Sequence, residues 1–152
     1  RINIFNKNYV IMKIAKEFRW EMGHRLPEHS GLCRNIHGHS YRMIVEINGE
    51  VLSNGMIIDF YDLGLIVKPI LEKLDHSFLV YIKDKPVLDF LKKYKMKMVV
   101  VEYLATVENI CKDITEKIVS EFKKQKVKNI SEISVKIFET PNSFAEMNLK
   151  LQ

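Results

Sequence analysis

Cysteine is scarce in this sequence, which contains only Cys33 and Cys111, far apart in the chain. Two cysteines in different surroundings are too few for a disulfide framework, and reduced thiols fit a cytoplasmic protein better. Long hydrophobic runs are also missing, because the apolar residues 10–12 are followed at once by Lys13. The sequence therefore predicts neither a membrane-spanning helix nor a signal peptide, and we expect a cytoplasmic location.

A concentrated stripe of one charge is absent as well. The formal net charge is +5 and the sequence pI is about 9.1, but Lys and Arg are interspersed with Asp and Glu. This balance suits a small polyanionic substrate better than nucleic acid or a membrane surface, neither of which we expect as a partner. The length of 152 residues, 47% of them hydrophobic, predicts one domain with a single core. We assign residues 12–152 to that domain and residues 1–11 to an N-terminal extension or tag remnant.

Hydrophobic periodicity predicts the secondary structure. Alternation of apolar and polar residues is typical of half-buried strands, and spacing of three and four residues is typical of helices. Strands are predicted at 13–21, 39–50, 130–139 and 144–151, with β-rich residues at 98–101, and helices at 61–74, 87–93 and 106–122. Residues 25–36 form a loop, 56–60 a short extended piece, and Pro69 either kinks the first helix or delays its start. The order predicts an α+β domain with an antiparallel sheet.

Three histidines form the clearest chemical pattern. His37 and His39 flank Gly38 at the head of one strand, and His24 closes the preceding strand. Residues two apart on a strand face the same side, and the return of the chain brings His24 beside them. Three imidazoles without a thiolate are typical of catalytic zinc, whose fourth position stays open. The alternative, an exposed His-Gly-His turn, would suit an isolated motif better than this set. We therefore predict that His24, His37 and His39 bind Zn²⁺.

The two cysteines have different predicted roles. Cys33 lies in the loop four residues before His37, where a nearby zinc ion would favour its thiolate and make it a usable base or nucleophile. Cys111 lies on the apolar stripe of the long helix, which is typical of a small buried hydrophobic residue. Cys33 is therefore the catalytic candidate.

Asp75, His76 and Glu139 have both an ordinary and a functional interpretation, whereas Thr106 has only an ordinary one. His76 could cap the end of the first helix, or Asp75 could orient its imidazole for proton transfer. Glu139 could be surface decoration, or its carboxylate could accept two hydrogen bonds from a heterocycle. Thr106 has the residue type and position of a helix N-cap. The residues alone leave the first two pairs of alternatives open.

Six motifs together resemble a known family. They are His24-Arg25-Leu26, the run Cys-Arg-Asn-Ile-His-Gly-His at 33–39, Gly-Met-Ile-Ile-Asp-Phe at 55–60, Leu74-Asp75-His76, Thr-Val-Glu-Asn-Ile at 106–110, and Phe138-Glu139-Thr140. In this order they resemble the 6-pyruvoyltetrahydropterin and 6-carboxytetrahydropterin synthase family, from about Lys13 to Glu139. The three residues between Cys33 and the His-Gly-His motif are more similar to the bacterial carboxy-forming branch, which serves queuosine and deazapurine synthesis.

The resemblance implies a tunnelling fold, with a four-stranded antiparallel sheet, two main helices on one face, and assembly into a barrel, usually as a hexamer built from two trimers. It also implies a zinc-dependent reaction of 7,8-dihydroneopterin triphosphate. In that reaction Cys33 takes a carbon-bound proton, His76 oriented by Asp75 relays protons, and Glu139 holds the pterin with help from Thr106. The implied product is 6-carboxy-5,6,7,8-tetrahydropterin, with a pyruvoyl-forming synthase and a non-catalytic zinc- or pterin-binding protein as alternatives.

Overall fold

A six-stranded mixed sheet forms the centre of the computed structural model, which describes residues 11–151. The order across the sheet is β4-β3-β1-β2-β5-β6. The strands are β1 (Ile11–His24), β2 (His37–Glu50), β3 (Ser77–Tyr81), β4 (Met98–Val101), β5 (Ile130–Thr140) and β6 (Ser143–Lys150). Strands β1, β2, β5 and β6 pair antiparallel, whereas β3 pairs parallel with β1 and β4 pairs parallel with β3.

Three helices accompany the sheet: α1 (Phe60–Leu74), α2 (Lys85–Lys93) and α3 (Val107–Lys124). The apolar stripes of α1 and α3 bury Leu63, Val67, Ile114 and Ile118 against one face of the sheet, in the same cluster as alternate residues of β1, β2 and β5. Helix α2 packs separately, with Val87, Leu88 and Leu91 around Val80 of β3. Within residues 11–151, no helix is long and apolar enough to cross a membrane.

The predicted α+β class is confirmed, but the predicted count of four strands is wrong. The four antiparallel strands are present, and β3 and β4 extend the sheet beyond β1. Strand β3 is not predicted from hydrophobic periodicity, because it has only five residues and is buried or half-buried along its whole length. Such a strand shows no alternation of apolar and polar residues.

Helix α1 runs without interruption through Pro69, whose ring is exposed while the apolar stripe on the opposite side stays buried. Residues 57–58 form a bend and Phe60 begins α1, so the predicted extended piece at 56–60 is only a connection into that helix. Ile11, which the sequence assigned to the extension, is the first residue of β1. The rest of that predicted extension, residues 1–10, lies outside the described residues.

Candidate metal centre

The pairing of β1 with β2 brings the three histidines together at one end of the sheet. His24 lies directly opposite His37, and Met22 lies opposite His39, so the three imidazoles project from the helix-covered face of the sheet. One ring nitrogen from each lies within 4.8 Å of those of the other two. The two-residue spacing of His37 and His39 therefore has the predicted effect, and the hairpin-like return supplies His24.

Gly38 permits this close arrangement. A Cβ atom at position 38 would lie 3.0 Å from the carbonyl oxygen of Met22, tighter than ordinary contact with a backbone atom that cannot move away. A larger residue would therefore force β1 and β2 apart beside the imidazoles.

The hydrogen bonds of the imidazoles leave one nitrogen of each ring available. His24 Nδ1 lies 2.7 Å from the carbonyl oxygen of Ala105, and His37 Nδ1 lies 2.8 Å from that of Asn35. A carbonyl only accepts, so each Nδ1 carries the proton and donates it, and each Nε2 keeps its lone pair. Within the described residues, the Nε2 atoms of His24, His37 and His39 are buried and have no hydrogen-bond partner. Three buried, unpaired nitrogen acceptors facing one another fit a zinc ion.

Burial also favours the neutral form of the rings. Burial lowers the pKa of His24, although the Ala105 carbonyl and the Glu139 carboxylate oppose the shift, and it lowers the pKa of His39 against the same carboxylate. Neutral imidazoles are the form that binds metal, so the protein environment keeps these rings ready for an ion.

Glu139 reaches the same group from the end of β5. Its Oε1 lies 3.4 Å from His24 Nε2 and 3.7 Å from His39 Nε2. The same oxygen accepts a hydrogen bond of 3.2 Å from the buried hydroxyl of Tyr41. Burial, with the neighbouring Glu139 charge, raises the pKa of Tyr41, so its hydroxyl remains a donor. Glu139 is therefore not surface decoration, because it lies beside the candidate metal centre.

Cys33 lies in a single turn of 3₁₀ helix, Leu32–Arg34, within the predicted loop 25–36. The Leu26 N–H donates to the carbonyl oxygen of Cys33 at 2.8 Å, which draws the two limbs of the loop together. The Cys33 thiol is half-buried and free, and it is not part of the three-histidine group. Asn35, two residues later, connects this loop to His37 through the hydrogen bond described above.

Asp75 and His76 lie beside β1 at the same end of the sheet. The backbone N–H of Glu21 donates to Asp75 Oδ1 at 2.9 Å, and His76 Nδ1 lies 3.0 Å from that oxygen. These contacts hold the pKa of Asp75 below its usual value. The His76 ring therefore faces Asp75 instead of capping helix carbonyls, and His76 lines a cavity of about 380 Å³ together with His39.

Thr106 and Cys111 have the ordinary structural positions that their sequence contexts predict. The Thr106 hydroxyl accepts a hydrogen bond from the Asn109 N–H at 3.3 Å as the N-cap of α3. Cys111 is free and buried, its thiol donates to the Val135 carbonyl at 3.3 Å, and burial raises its pKa.

The sequence reasoning missed several residues that shape the site. Tyr41 lies two residues after His39 on the same strand face, so the same two-residue spacing could have revealed it. The carbonyls of Asn35 and Ala105 carry no side-chain signal at all. The ion pair of Arg25 with Asp84 joins residues 59 positions apart, so no local sequence pattern predicts it.

The fold and this site define a class: α+β proteins with a group of three imidazoles, capable of holding a metal ion, at one end of an antiparallel hairpin. The chain belongs to the 6-pyruvoyl tetrahydropterin synthase family, because the profile of that family matches residues 13–150. This match confirms the resemblance seen in the sequence motifs and makes the protein a member of a family of enzymes.

Individual relatives agree with this assignment. A 6-carboxy-5,6,7,8-tetrahydropterin synthase of Haemophilus influenzae is 35% identical over 144 residues, which cover 90% of this chain and 98% of that protein. The 6-pyruvoyl tetrahydropterin synthase of Caenorhabditis elegans has a similar structure, with a TM-score of 0.67 and 26% identity over 91% of this chain and 96% of that one. The Plasmodium falciparum 6-pyruvoyl tetrahydropterin synthase has a TM-score of 0.74 at 19% identity, over 92% and 98% of the two chains, and supports the fold alone.

Proposed function

We propose that the protein is a zinc-dependent 6-carboxy-5,6,7,8-tetrahydropterin synthase that acts in the cytoplasm, in queuosine and deazapurine biosynthesis. It converts 7,8-dihydroneopterin triphosphate to 6-carboxytetrahydropterin with loss of triphosphate and acetaldehyde. The observation that carries the proposal is the convergence of three unpaired Nε2 atoms and Glu139 at one end of the sheet. The similarity to the Haemophilus influenzae protein of that name supports the choice of reaction.

His24, His37 and His39 hold the zinc ion in this proposal. When bound, zinc supplies a Lewis acid that stabilises the negative charge developing on the oxygens of the substrate side chain. The carbonyls of Ala105 and Asn35 keep two of the ligand rings in the required tautomer.

The ligand assignment predicts the metal content of two variants. His37→Ala and His39→Ala should each lose nearly all zinc while the fold persists, because two imidazoles remain where three are needed. Elemental analysis of the purified proteins measures zinc per chain, and circular dichroism checks the fold. His29→Ala is the matched control, since His29 lies in the same loop region, outside the three-histidine group, and should leave one zinc per chain. Full zinc occupancy in both ligand variants would contradict the assignment.

Cys33, Asp75 and His76 are the proton-transfer groups of the proposal. Cys33 removes a carbon-bound proton from the substrate, as a thiolate close to a cationic centre can do. His76 relays protons, and the Asp75 carboxylate orients its ring through the Nδ1 contact.

Glu139 anchors the pterin ring, with assistance from Thr106. A pterin presents an N–H and an amino group side by side, and one carboxylate can accept both hydrogen bonds. The Tyr41 hydroxyl fixes the orientation of that carboxylate by donating a hydrogen bond to it. The net charge of +5 favours the approach of the triphosphate.

The partner of the chain in this proposal is a second copy of itself. Among residues 11–151, strand β6 is one edge of the sheet, and β1 is paired on its outer side only at Met22–His24 by β3, so residues 11–20 present a second edge. Rotational symmetry places β6 of one copy antiparallel to β1 of the next and closes a barrel. Glu139 of one copy then lies at the same end as Asp75 and His76 of its neighbour. We propose that these neighbouring residues complete each site, in trimers that stack as hexamers.

Product analysis tests the function directly. Zinc-loaded protein is incubated with 7,8-dihydroneopterin triphosphate, and mass spectrometry identifies the pterin while an alcohol dehydrogenase assay detects acetaldehyde. Acetaldehyde together with 6-carboxytetrahydropterin is the expected result. A pyruvoyl product without acetaldehyde would assign the chain to the pyruvoyl-forming branch, and binding without any product would leave a non-catalytic pterin-binding protein.

A further inference from the structure

The side chain of Arg25, the residue that follows His24, forms a largely buried ion pair with Asp84. Arg25 Nε donates to Asp84 Oδ2 at 2.6 Å, and Arg25 Nη2 donates to Asp84 Oδ1 at 2.5 Å. The Asp84 side chain is only 3% exposed and the Arg25 side chain 23% exposed. A two-pronged contact of this kind fixes the guanidinium plane as well as its position.

Asp84 does not use its side chain to cap the helix that it precedes. It is the N-cap of α2, yet its carboxylate makes no hydrogen bond to that helix, whereas Asp59 and Thr106 cap α1 and α3 with their side chains. An N-cap side chain normally stabilises its own helix. Both oxygens of Asp84 serve Arg25 instead, so the carboxylate acts on the chain segment that carries Arg25.

That segment is the Cys33 loop. Three successive carbonyl oxygens around the thiol each accept a hydrogen bond from a residue at or near the metal centre. Cys33 O accepts from Leu26 N at 2.8 Å, and Arg34 O accepts from Arg25 Nη1 at 3.4 Å. Asn35 O accepts from His37 Nδ1 at 2.8 Å. The backbone from Cys33 to Asn35 is thereby tied to Arg25 and Leu26, which follow His24, and to His37.

Among the residues that donate to the loop carbonyls, Arg25 also binds a residue outside the β1–β2 hairpin, Asp84 at the start of α2. Helix α2 has its own small apolar cluster and does not belong to the main core, so Asp84 is a separate support for the loop. We infer that Arg25 and Asp84 are positioning residues, which hold the Cys33 thiol at the distance from the metal centre that proton removal requires. This inference rests on the proposed role of Cys33 as the base.

Single and double substitutions test the inference. Arg25→Lys keeps the positive charge but cannot make the two-pronged contact with Asp84. Asp84→Asn keeps the size of the side chain but removes its negative charge. Each should keep one zinc per chain and a KM within about twofold of wild type, while kcat falls roughly tenfold to a hundredfold, because misplacement of a reacting group by about 1 Å has an effect of that size. Amide hydrogen exchange of residues 25–36 should become about tenfold faster or more, without a change in the strands.

The double variant Arg25→Ala/Asp84→Ala separates positioning from mere stability. It leaves no unpaired buried charge, so its melting temperature should recover relative to Arg25→Ala alone, which leaves the buried Asp84 carboxylate without its partner. The kcat should stay low, because the loop remains released. Asp113→Asn is the matched control, since Asp113 also accepts two side-chain hydrogen bonds, from Tyr103 and Lys117, but lies on α3. It should lower the melting temperature without changing kcat.

Two results would overturn the inference. Recovery of kcat together with the melting temperature in the double variant would reduce the pair to a structural role, and unchanged exchange over residues 25–36 would show that the pair does not hold the loop. Wild-type protein without turnover would instead contradict the proposed function. Hydrogen exchange would then decide alone: faster exchange confined to 25–36 supports the positioning role, and unchanged exchange overturns it.

Discussion

Two glutamates, Glu139 near the end of β5 and Glu146 within β6, face opposite sides of the sheet, and this separates their predicted effects. Glu139 points toward the imidazoles, whereas Glu146 binds Ser134 and Lys136 on the face that carries no helix. Glu139→Gln replaces one acceptor oxygen by an amide N–H donor. That donor would face a donor group of the pterin, so one of the two proposed hydrogen bonds would be lost. We expect dihydropterin affinity to fall about ten- to a hundredfold, or about 1 to 3 kcal/mol, with zinc content unchanged.

Glu146→Gln is the control for this change and should leave affinity near the wild-type value. Isothermal titration calorimetry with a dihydropterin measures the affinity of both variants under the same conditions. If Glu139→Gln binds as tightly as wild type while Glu146→Gln does not, the anchor is Glu146 and the pocket lies on the other face of the sheet.

The two cysteines form a second matched pair. Cys33→Ala should retain zinc and substrate binding and lose most turnover, because it removes the proposed base and nothing that holds the metal. Cys111→Ala removes a small buried side chain from the contact between α3 and β5, so it should lower the free energy of unfolding by about 1 to 2 kcal/mol. Steady-state kinetics and urea unfolding distinguish the two effects. Equal losses of activity from both substitutions would contradict this division of roles.

At the scale of elements, the start of α3 contacts the candidate metal centre. Thr106 caps the helix, and the carbonyl of the preceding Ala105 accepts the His24 Nδ1–H. Thr106→Ala should lower the free energy of unfolding by about 1 kcal/mol, the usual effect of losing a cap. It should also weaken zinc retention against a chelator, because the carbonyl that holds His24 becomes less well placed.

Asp59 offers the control for that experiment, since it caps a different helix, α1, by accepting from Tyr61 N at 2.6 Å. Asp59→Ala should cost about as much stability but leave the rate of zinc loss unchanged. Equal acceleration of zinc loss in both variants would mean that global stability, not the position of Ala105, controls retention.

At the scale of the whole molecule, the proposed assembly predicts that two inactive variants restore each other. If one copy supplies Cys33 and Glu139 and its neighbour supplies Asp75 and His76, oligomers mixed from Cys33→Ala and His76→Ala chains contain some complete sites. Random mixing in equal amounts should restore about a quarter of wild-type activity. Co-expression with two different affinity tags and an activity assay of the doubly tagged oligomer measures this recovery.

The control mixture combines Cys33→Ala with Glu139→Gln. Both residues come from the same chain of a shared site, so no mixed site is complete and activity should remain at the level of the single variants. Recovery in this mixture, or failure of the first one in oligomers of verified composition, would contradict a site shared in the proposed way.

The sequence by itself determined the parts of the protein that depend on local periodicity. Alternation located β1, β2, β5 and β6, the helical stripes located α1 and α3, and the two-residue spacing of His37 and His39 placed both rings on one face. The Thr106 cap and the buried Cys111 follow from their immediate neighbours in the same way. These features are predictable because the responsible contacts lie within a few residues of one another, where backbone geometry alone sets the direction of each side chain.

Only the tertiary structure decided which distant groups meet. Tyr41 and Glu139 are 98 positions apart, His24 and the Ala105 carbonyl 81, and Arg25 and Asp84 59. The parallel pairing of β3 and β4 beside β1 likewise has no local signature. Strand β3 is short and does not alternate, and the β-rich residues of β4 do not indicate which strand they pair with. Such contacts depend on how whole elements pack and on where buried polar groups can find partners, and these constraints act only once the chain has closed around its core.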